Sequence, residues 1–231
     1  MDESYKLGTE GGIVDLLLAS YGTGSRIKAI RGDFEAATEH LDERARTGTK
    51  LSLPRLMARV DNERIRMGIG DRSEELLRSE RATARCHQGR GVARVTADLD
   101  ENSAIRILLT DPTPARLDLA GHRAAALVQS IAAADRPRAA LEATLLHAQC
   151  LAVAGQTDQA MHVLAPAAAT CARHGLTRPL IDAGPDIVAL LRDHCAEHGI
   201  VTSSPPLIPG DFLTEILASP RAPRINVGGT S

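Results

Sequence analysis

Two short pairs in the C-terminal half, Cys171-Ala-Arg-His174 and Cys195-Ala-Glu-His198, carry the residue types of a metal site. Thiolate sulfur and imidazole nitrogen are the ligands that zinc takes in tetrahedral Cys2His2 geometry. A residue and its i+3 neighbour share a helix face, so two such pairs on adjacent helices could offer four ligands to one ion. Both pairs nevertheless fall at helix ends in the reading below. There a histidine has a simpler role, complementing the partial negative charge of a helix C-terminus. Cys-Ala-Arg-His is also ordinary in a chain this rich in alanine. The expectation is helix-end packing and no metal, with zinc on Cys171, His174, Cys195 and His198 as the alternative.

Nucleophilic catalysis finds no better footing. Ser103, Ser130 and Cys150 sit in alanine-rich segments, and no G-x-S-x-G surrounds a serine. His147 and Cys150 are three apart and share a helix face, yet Cys–His catalysis needs a positioned pair in an accessible cleft. A packed helix is expected instead. Adjacent acids such as Asp42-Glu43 and Glu74-Glu75 point in different directions on a helix and read as solvated. The arginine-rich stretch ERIRMGIGDRSEELLRSERATAR (residues 63–85) interleaves acids with its cations, giving i,i+4 pairs such as Glu74–Arg78. Aromatics make up only 2% of the chain, so little is present to stack on bases. This stretch reads as an exposed, salt-bridged helix rather than a nucleic-acid surface. No catalytic residue and no cofactor is expected.

The elements that would position these residues are helices. Hydrophobic residues form 43% of the 231 positions while Trp is absent, so alanine and leucine supply the apolar surface. Those two head the helix scale, and strand-favouring aromatics are nearly missing. The fold class expected is all-α. Helical spacing runs from Gly11 to Arg31 with a weak centre at Gly22 and Gly24. It resumes over 33–46, and the phrase TGTKLSLP then reads as a loop. A helix follows from Pro54 to Met67, and another enters after Ser73. Residues 88–100 are ambiguous, and DENSAIRILLTDPTP gives a short helix closed by Pro112 and Pro114. Strong helices are expected over 115–134, 137–154 and 157–174, then a shorter pair over 177–183 and 185–198 around Gly184-Pro185. Residues 1–10 are expected to be a disordered lead, 11–200 a helical-repeat domain, and 201–231 a Pro/Gly-rich tail with one short helix near Phe212–Ala218.

An echo runs through this series. Gly32, Ala37 and Leu41 recur at the same spacing as Gly155, Ala160 and Leu164, 123 residues on, which is three periods of 41. In a hairpin repeat the glycine permits the turn, the alanine allows close helix contact, and the leucine fills the groove between neighbours. The expected architecture is therefore a TPR-like superhelical stack of antiparallel helical hairpins, with a period somewhat above the ~34 residues of a TPR unit. First helices of such hairpins line the inner face, a surface for peptides or effectors. Aligning the hairpins on Gly32 and Gly155 puts Arg26 and Gln149 at equivalent inner positions. Glu142 also faces inward, and Arg64 is a looser candidate. These four are the expected ligand- or partner-contacting residues.

In order, GGIVDLLLASYGTGSRIKAIRGDFEAATEHLDE, LSLPRLMARVDNERIRM and ALEATLLHAQCLAVAGQTDQAMHVLAPAAATCARHGLTRPLIDAGPDIVALLRDH resemble the helical-repeat region of MalT-type regulators, the large ATP-binding branch of the LuxR family. HGLTRPLIDAGPDIVALLRD carries most of the specificity, and the likeness covers about residues 11–198. It implies a signal-sensing domain whose effector controls an attached ATPase module and hence transcription. Two features depart from the family. No G-x-x-x-x-G-K-[ST] phosphate loop occurs, and FLTEILASPRAPRINVGGTS ends where a helix-turn-helix domain would begin. The chain is thus expected to be a piece of a longer protein or a member of a branch lacking the DNA-binding end. In one such branch the region is joined to a Ser/Thr kinase, where it would regulate and dock.

Charge and composition narrow the partners. A formal net charge of −2 gives no strong pull on phosphate backbones or anionic lipid. The acidic, polar start MDESYKLGTEGG is no signal peptide, and no apolar run approaches a membrane span. Four dispersed cysteines do not make a disulfide scaffold. The expected setting is cytoplasmic. The expected partners are a neighbouring ATPase or kinase domain of the same protein and a protein or small-molecule effector, with no direct nucleic-acid contact and no membrane.

Overall fold

The computed structural model describes residues 23–68, 91–198 and 208–218. The expected lead at 1–10, the start of the first helix, the Ser73-capped helix and most of the tail lie outside the described residues. Ten helices are described: α1 (23–30), α2 (Phe34–Lys50), α3 (Pro54–Met67), α4 (Val92–Leu108), α5 (Pro114–Ala132), α6 (Pro137–Val153), α7 (Thr157–Arg173), α8 (Arg178–Ala183), α9 (Pro185–His198) and α10 (Gly210–Ala218). No strand occurs among the described residues. The chain is all-α, built from short-looped helical hairpins, and its described residues divide into two compact units between Ile107 and Leu108.

In the first unit α2 packs on α3. Ala29, Ala37, Leu41, Val60 and Met67 form its apolar centre, with Phe34 and Ala45 against them. In the second unit α6 is central, with α5, α7, α8 and α9 all packed on it. Leu145, Leu164, Leu180, Ile187 and Leu191 fill that core, and α10 closes it with Phe212, Leu213 and Ile216. Each fully buried leucine or isoleucine contributes about 1.5–3 kcal/mol. Alanines between them, such as Ala37 and Ala160, both fully buried, let helices approach closely.

The echo at 123 residues is structural. Helix α2 and helix α7 have bounds in that register, Phe34–Lys50 against Thr157–Arg173. Gly32 and Gly155 turn the chain before them at φ +81° and +73°. Leu41 and Leu164 are both fully buried. The turns after the helices match too. Leu53 N–H donates to the Gly48 carbonyl at 2.8 Å, and Leu176 N–H to the Cys171 carbonyl at 2.9 Å. These are six-to-one bonds of the Schellman type. Between them stand Ser52 at φ +50° and Gly175 at φ +62°. One three-element module, first-helix end, second helix and returning helix, occurs twice.

Three segment readings change. TGTKLSLP was read as a loop, but α2 continues through Lys50. Gly48 is helical and lies where α3 passes close by: a Cβ placed there would lie 2.7 Å from Met57 Sδ. Residues 92–108 form one helix where an ambiguous stretch and a short helix were read. Pro114 opens α5 rather than closing the helix before it. Thr113 caps that start, accepting from Arg116 N–H at 3.3 Å. The second module also breaks where the first does not. Helix α3 is continuous, whereas Gly184 at φ +124° and Pro185 split its counterpart into α8 and α9.

Candidate functional site

Arg26 lies on α1, held by the turn at Gly32 and the packing of α2 behind it. Its guanidinium does not stand open. Nε donates to Glu63 Oε2 at 2.7 Å and Nη2 to Glu63 Oε1 at 2.6 Å, a bidentate clasp on α3. Arg59, one turn earlier on α3, reaches Glu63 Oε1 at 3.0 Å. The Glu63 side chain is fully buried. Burial by itself would raise its pKa; the Arg59 and Arg26 charges, the Arg26 hydrogen bonds and the Arg66 charge together outweigh that and hold it at about 2. The carboxylate is therefore ionised at neutral pH.

Gln149 occupies the equivalent place on α6 and behaves in parallel. Its Nε2 donates to Asp186 Oδ2 at 3.1 Å. Residues 26 and 63 are 37 apart, as are 149 and 186. The first helix of each module thus reaches an acid on the returning helix. Asp186 lies in the first turn of α9, where the helix dipole favours negative charge.

Arg64 turns the other way, pairing with Asp42 Oδ1 at 2.6 Å and Asp61 Oδ1 at 3.8 Å. Burial raises the Asp61 pKa against the Arg64 charge. Glu142 lies 3.5 Å from Arg138 Nε one turn before it. Each of the four residues expected to meet a ligand therefore has a partner within the chain, and they fall in two separate groups, Arg26 and Arg64 in the first unit and Glu142 and Gln149 in the second.

The structure adds a polar cluster that periodicity did not announce. Asn62 Nδ2 donates to Asn102 Oδ1 at 2.9 Å and Ser103 Oγ at 3.0 Å, joining α3 to α4. Arg106 Nε donates to the same Asn102 oxygen at 2.9 Å. Arg44 is fully buried, and Asp98 and Glu101 nearly so. The reading of residues 63–85 as an exposed helix is corrected at its first residue, since Glu63 is interior. The available signal was the register itself, because 63 and 186 are both acids 123 apart.

Of the four residues in the zinc alternative, the side chains of two are described. Cys171 is buried in the α7 core, where burial raises its pKa, and His174 is the exposed C-cap of that helix. The Cys195 and His198 side chains lie outside the described residues. Among the described residues no group of three His, Cys, Asp or Glu could hold a metal ion. Cys150 is 1% exposed, so its sulfur is inside the core, and burial lowers the pKa of neighbouring His147. No described helix is long and apolar enough to cross a membrane.

Among the described residues, fold and site define an all-α repeat segment whose four candidate residues are engaged within the chain. The chain is similar to serine/threonine-protein kinase PknK of Mycobacterium tuberculosis (strain H37Rv) and of Mycobacterium bovis, 46% identical over 187 residues in each case. The match takes in 80% of this chain and 16% of the kinase, so the chain is homologous to a segment of PknK and spans under a fifth of those curated relatives. No family model and no solved structure matches it.

Proposed function

We propose that this chain is a non-catalytic regulatory and docking domain of a Ser/Thr protein kinase, modulating phosphotransfer carried out elsewhere in the same protein. The observation that carries the reading is the 46% identity over 80% of the chain to a segment of PknK. Helical-hairpin stacks offer broad, rigid faces to peptides and domains. Arg64 and Glu142, whose ion pairs are partly solvent-exposed, are the residues such a partner would engage; exposed pairs of this kind cost little to exchange. The test is deletion of this segment from the full-length kinase, followed by the rate of autophosphorylation and of substrate phosphorylation. The expected result is a changed rate that moves back when the 231-residue chain is supplied in trans. An unchanged rate overturns the reading.

A second reading follows from HGLTRPLIDAGPDIVALLRD, the stretch most similar to MalT-type regulators. There the chain senses an effector and biases an attached ATPase by population shift. A saturable thermal shift with one sugar, lipid or nucleotide, alongside an indifferent kinase rate, favours this second role.

A further inference from the structure

Hydroxyl side chains are presented in very different ways along the described residues. Ser25 and Ser103 are buried. Thr38, Thr47 and Thr170 turn back on their own helices and donate to the carbonyl one turn earlier, at 2.8, 3.0 and 2.9 Å. Thr177 has helical backbone and donates to Glu215 Oε1 at 3.4 Å. Thr23, Thr49, Thr157 and Thr214 are exposed but helical. Ser52 is exposed at φ +50°, and Thr110 lies in the turn that ends α4. Thr113 differs from all of these. It is exposed and its backbone is extended, at φ −90° and ψ 156°. Among the described residues it is the one exposed hydroxyl on extended backbone.

Two prolines impose this presentation. The run is Thr110-Asp111-Pro112-Thr113-Pro114, and a proline ring pushes the residue before it from helical to extended backbone. Residues 110–115 are exposed without a break. Thr113 Oγ1 accepts from Arg116 N–H at 3.3 Å, a long bond that yields at little cost. A protein kinase works in a cleft, where acceptor oxygen, phosphorus and leaving oxygen stand roughly in line and an aspartate takes the hydroxyl proton. A helix offers its hydroxyls from a cylinder about 10–12 Å across. An extended, exposed stretch reaches into such a cleft with little helix to unwind.

We propose that Thr113 is a phosphoacceptor for the Ser/Thr kinase activity of the protein that carries this segment. The inference rests on the regulatory reading, which places that kinase elsewhere in the same protein, and it adds the residue on which the kinase writes. Thr113 Oγ1 attacks the γ-phosphorus of ATP. The new Oγ1–P bond forms as the bond from that phosphorus to the β,γ-bridging oxygen breaks. ADP leaves with the electron pair, and the hydroxyl proton passes to the kinase's catalytic carboxylate. The fold does not oppose the product. Its charge falls at the first turn of α5, where the helix dipole favours an anion and where Arg116 already stands 3.8 Å from Asp111.

In the experiment the 231-residue chain is incubated with magnesium ATP and the full-length kinase. Sites are located by fragmentation mass spectrometry against a reaction without kinase. Phosphate is expected on Thr113, at an initial rate at least about tenfold that on Thr157, whose helical turn must open first. Thr113→Ser should keep the label and Thr113→Val should lose it, while Thr157→Val leaves labelling of Thr113 unchanged. Helical circular dichroism of each variant shows that loss of label is not unfolding. Label on Thr157 or Thr214 as fast as on Thr113 overturns the proposal. So does an unlabelled Thr113 while a generic acceptor protein in the same tube is phosphorylated. Deleting the segment from the kinase separates the two failures. A changed kinase rate with Thr113 unlabelled removes the phosphoacceptor and keeps the regulatory role; an unchanged rate with Thr113 labelled does the reverse.

Discussion

At Glu63 a carboxylate is carried into the interior together with its counter-ions. Breaking such a pair leaves buried cation unmatched, which costs more than the pair itself contributes. Glu63→Gln should therefore lower unfolding free energy by about 3–5 kcal/mol, toward the lower figure because Arg26 and Arg59 keep some solvent access. Urea denaturation at pH 7 measures it. The pH dependence has a definite sign. A pKa lowered from 4.5 to about 2 on folding stabilises the protein fully above the unfolded value. That stabilisation disappears as pH falls through the folded value. Stability of the parent should thus drop from pH 4.5 toward pH 2 more steeply than that of Glu63→Gln, and the two curves should converge. Parallel curves would mean that Glu63 is not the group responsible.

At the scale of elements, the module's turns set the geometry that lets these residues meet. Gly32 and Gly155 adopt left-handed backbone with open space around a would-be Cβ. Alanine at either should cost only the backbone term, about 1–2 kcal/mol, and nearly the same amount at both. Ser52 has the opposite status. It holds φ +50° where the second module has a glycine, so Ser52→Gly should stabilise by about 0.5–1 kcal/mol, the relief of strain less the entropy of glycine. Urea midpoints decide, and a destabilised Ser52→Gly would show that its side chain contributes more than the strain. Helix α10 gives the third test. Phe212→Ala removes a ring buried in the second unit's core and should cost about 3–5 kcal/mol, read by thermal or urea unfolding.

At the scale of the whole molecule, the proposed regulatory role has its own test. The homologous segment is 16% of PknK, and among the described residues Arg26, Arg59, Arg64, Arg138 and Arg178 pair with acids of the chain itself. Under the proposed role the chain would act by what it binds and positions. Incubated alone with radiolabelled ATP and a generic acceptor protein, it should incorporate no phosphate. The full-length kinase lacking it should differ in rate. Phosphate transfer by the isolated chain would place chemistry here that the proposed role does not include.

Fold class was fixed by composition, since alanine and leucine without aromatics favour helices over strands. Helices 54–67, 137–154, 157–174, 177–183 and 185–198 were legible because proline and glycine punctuate them and their apolar stripes are regular. The repeat register was visible in three residues of each copy. The helical run of TGTK was not, because glycine in a sequence signals a turn, and only the passage of Met57 beside Gly48 shows that it serves close helix contact. Glu63 and Asp186 were hidden for a related reason. A charged residue in an interleaved run reads as solvated, and burial is decided by which cations arrive from elements tens of residues away. Local pattern states which way a helix faces. Tertiary structure alone determines that Arg26 and Gln149, expected to await a partner, already reach an acid within their own modules, one through a bidentate pair and the other through its amide nitrogen.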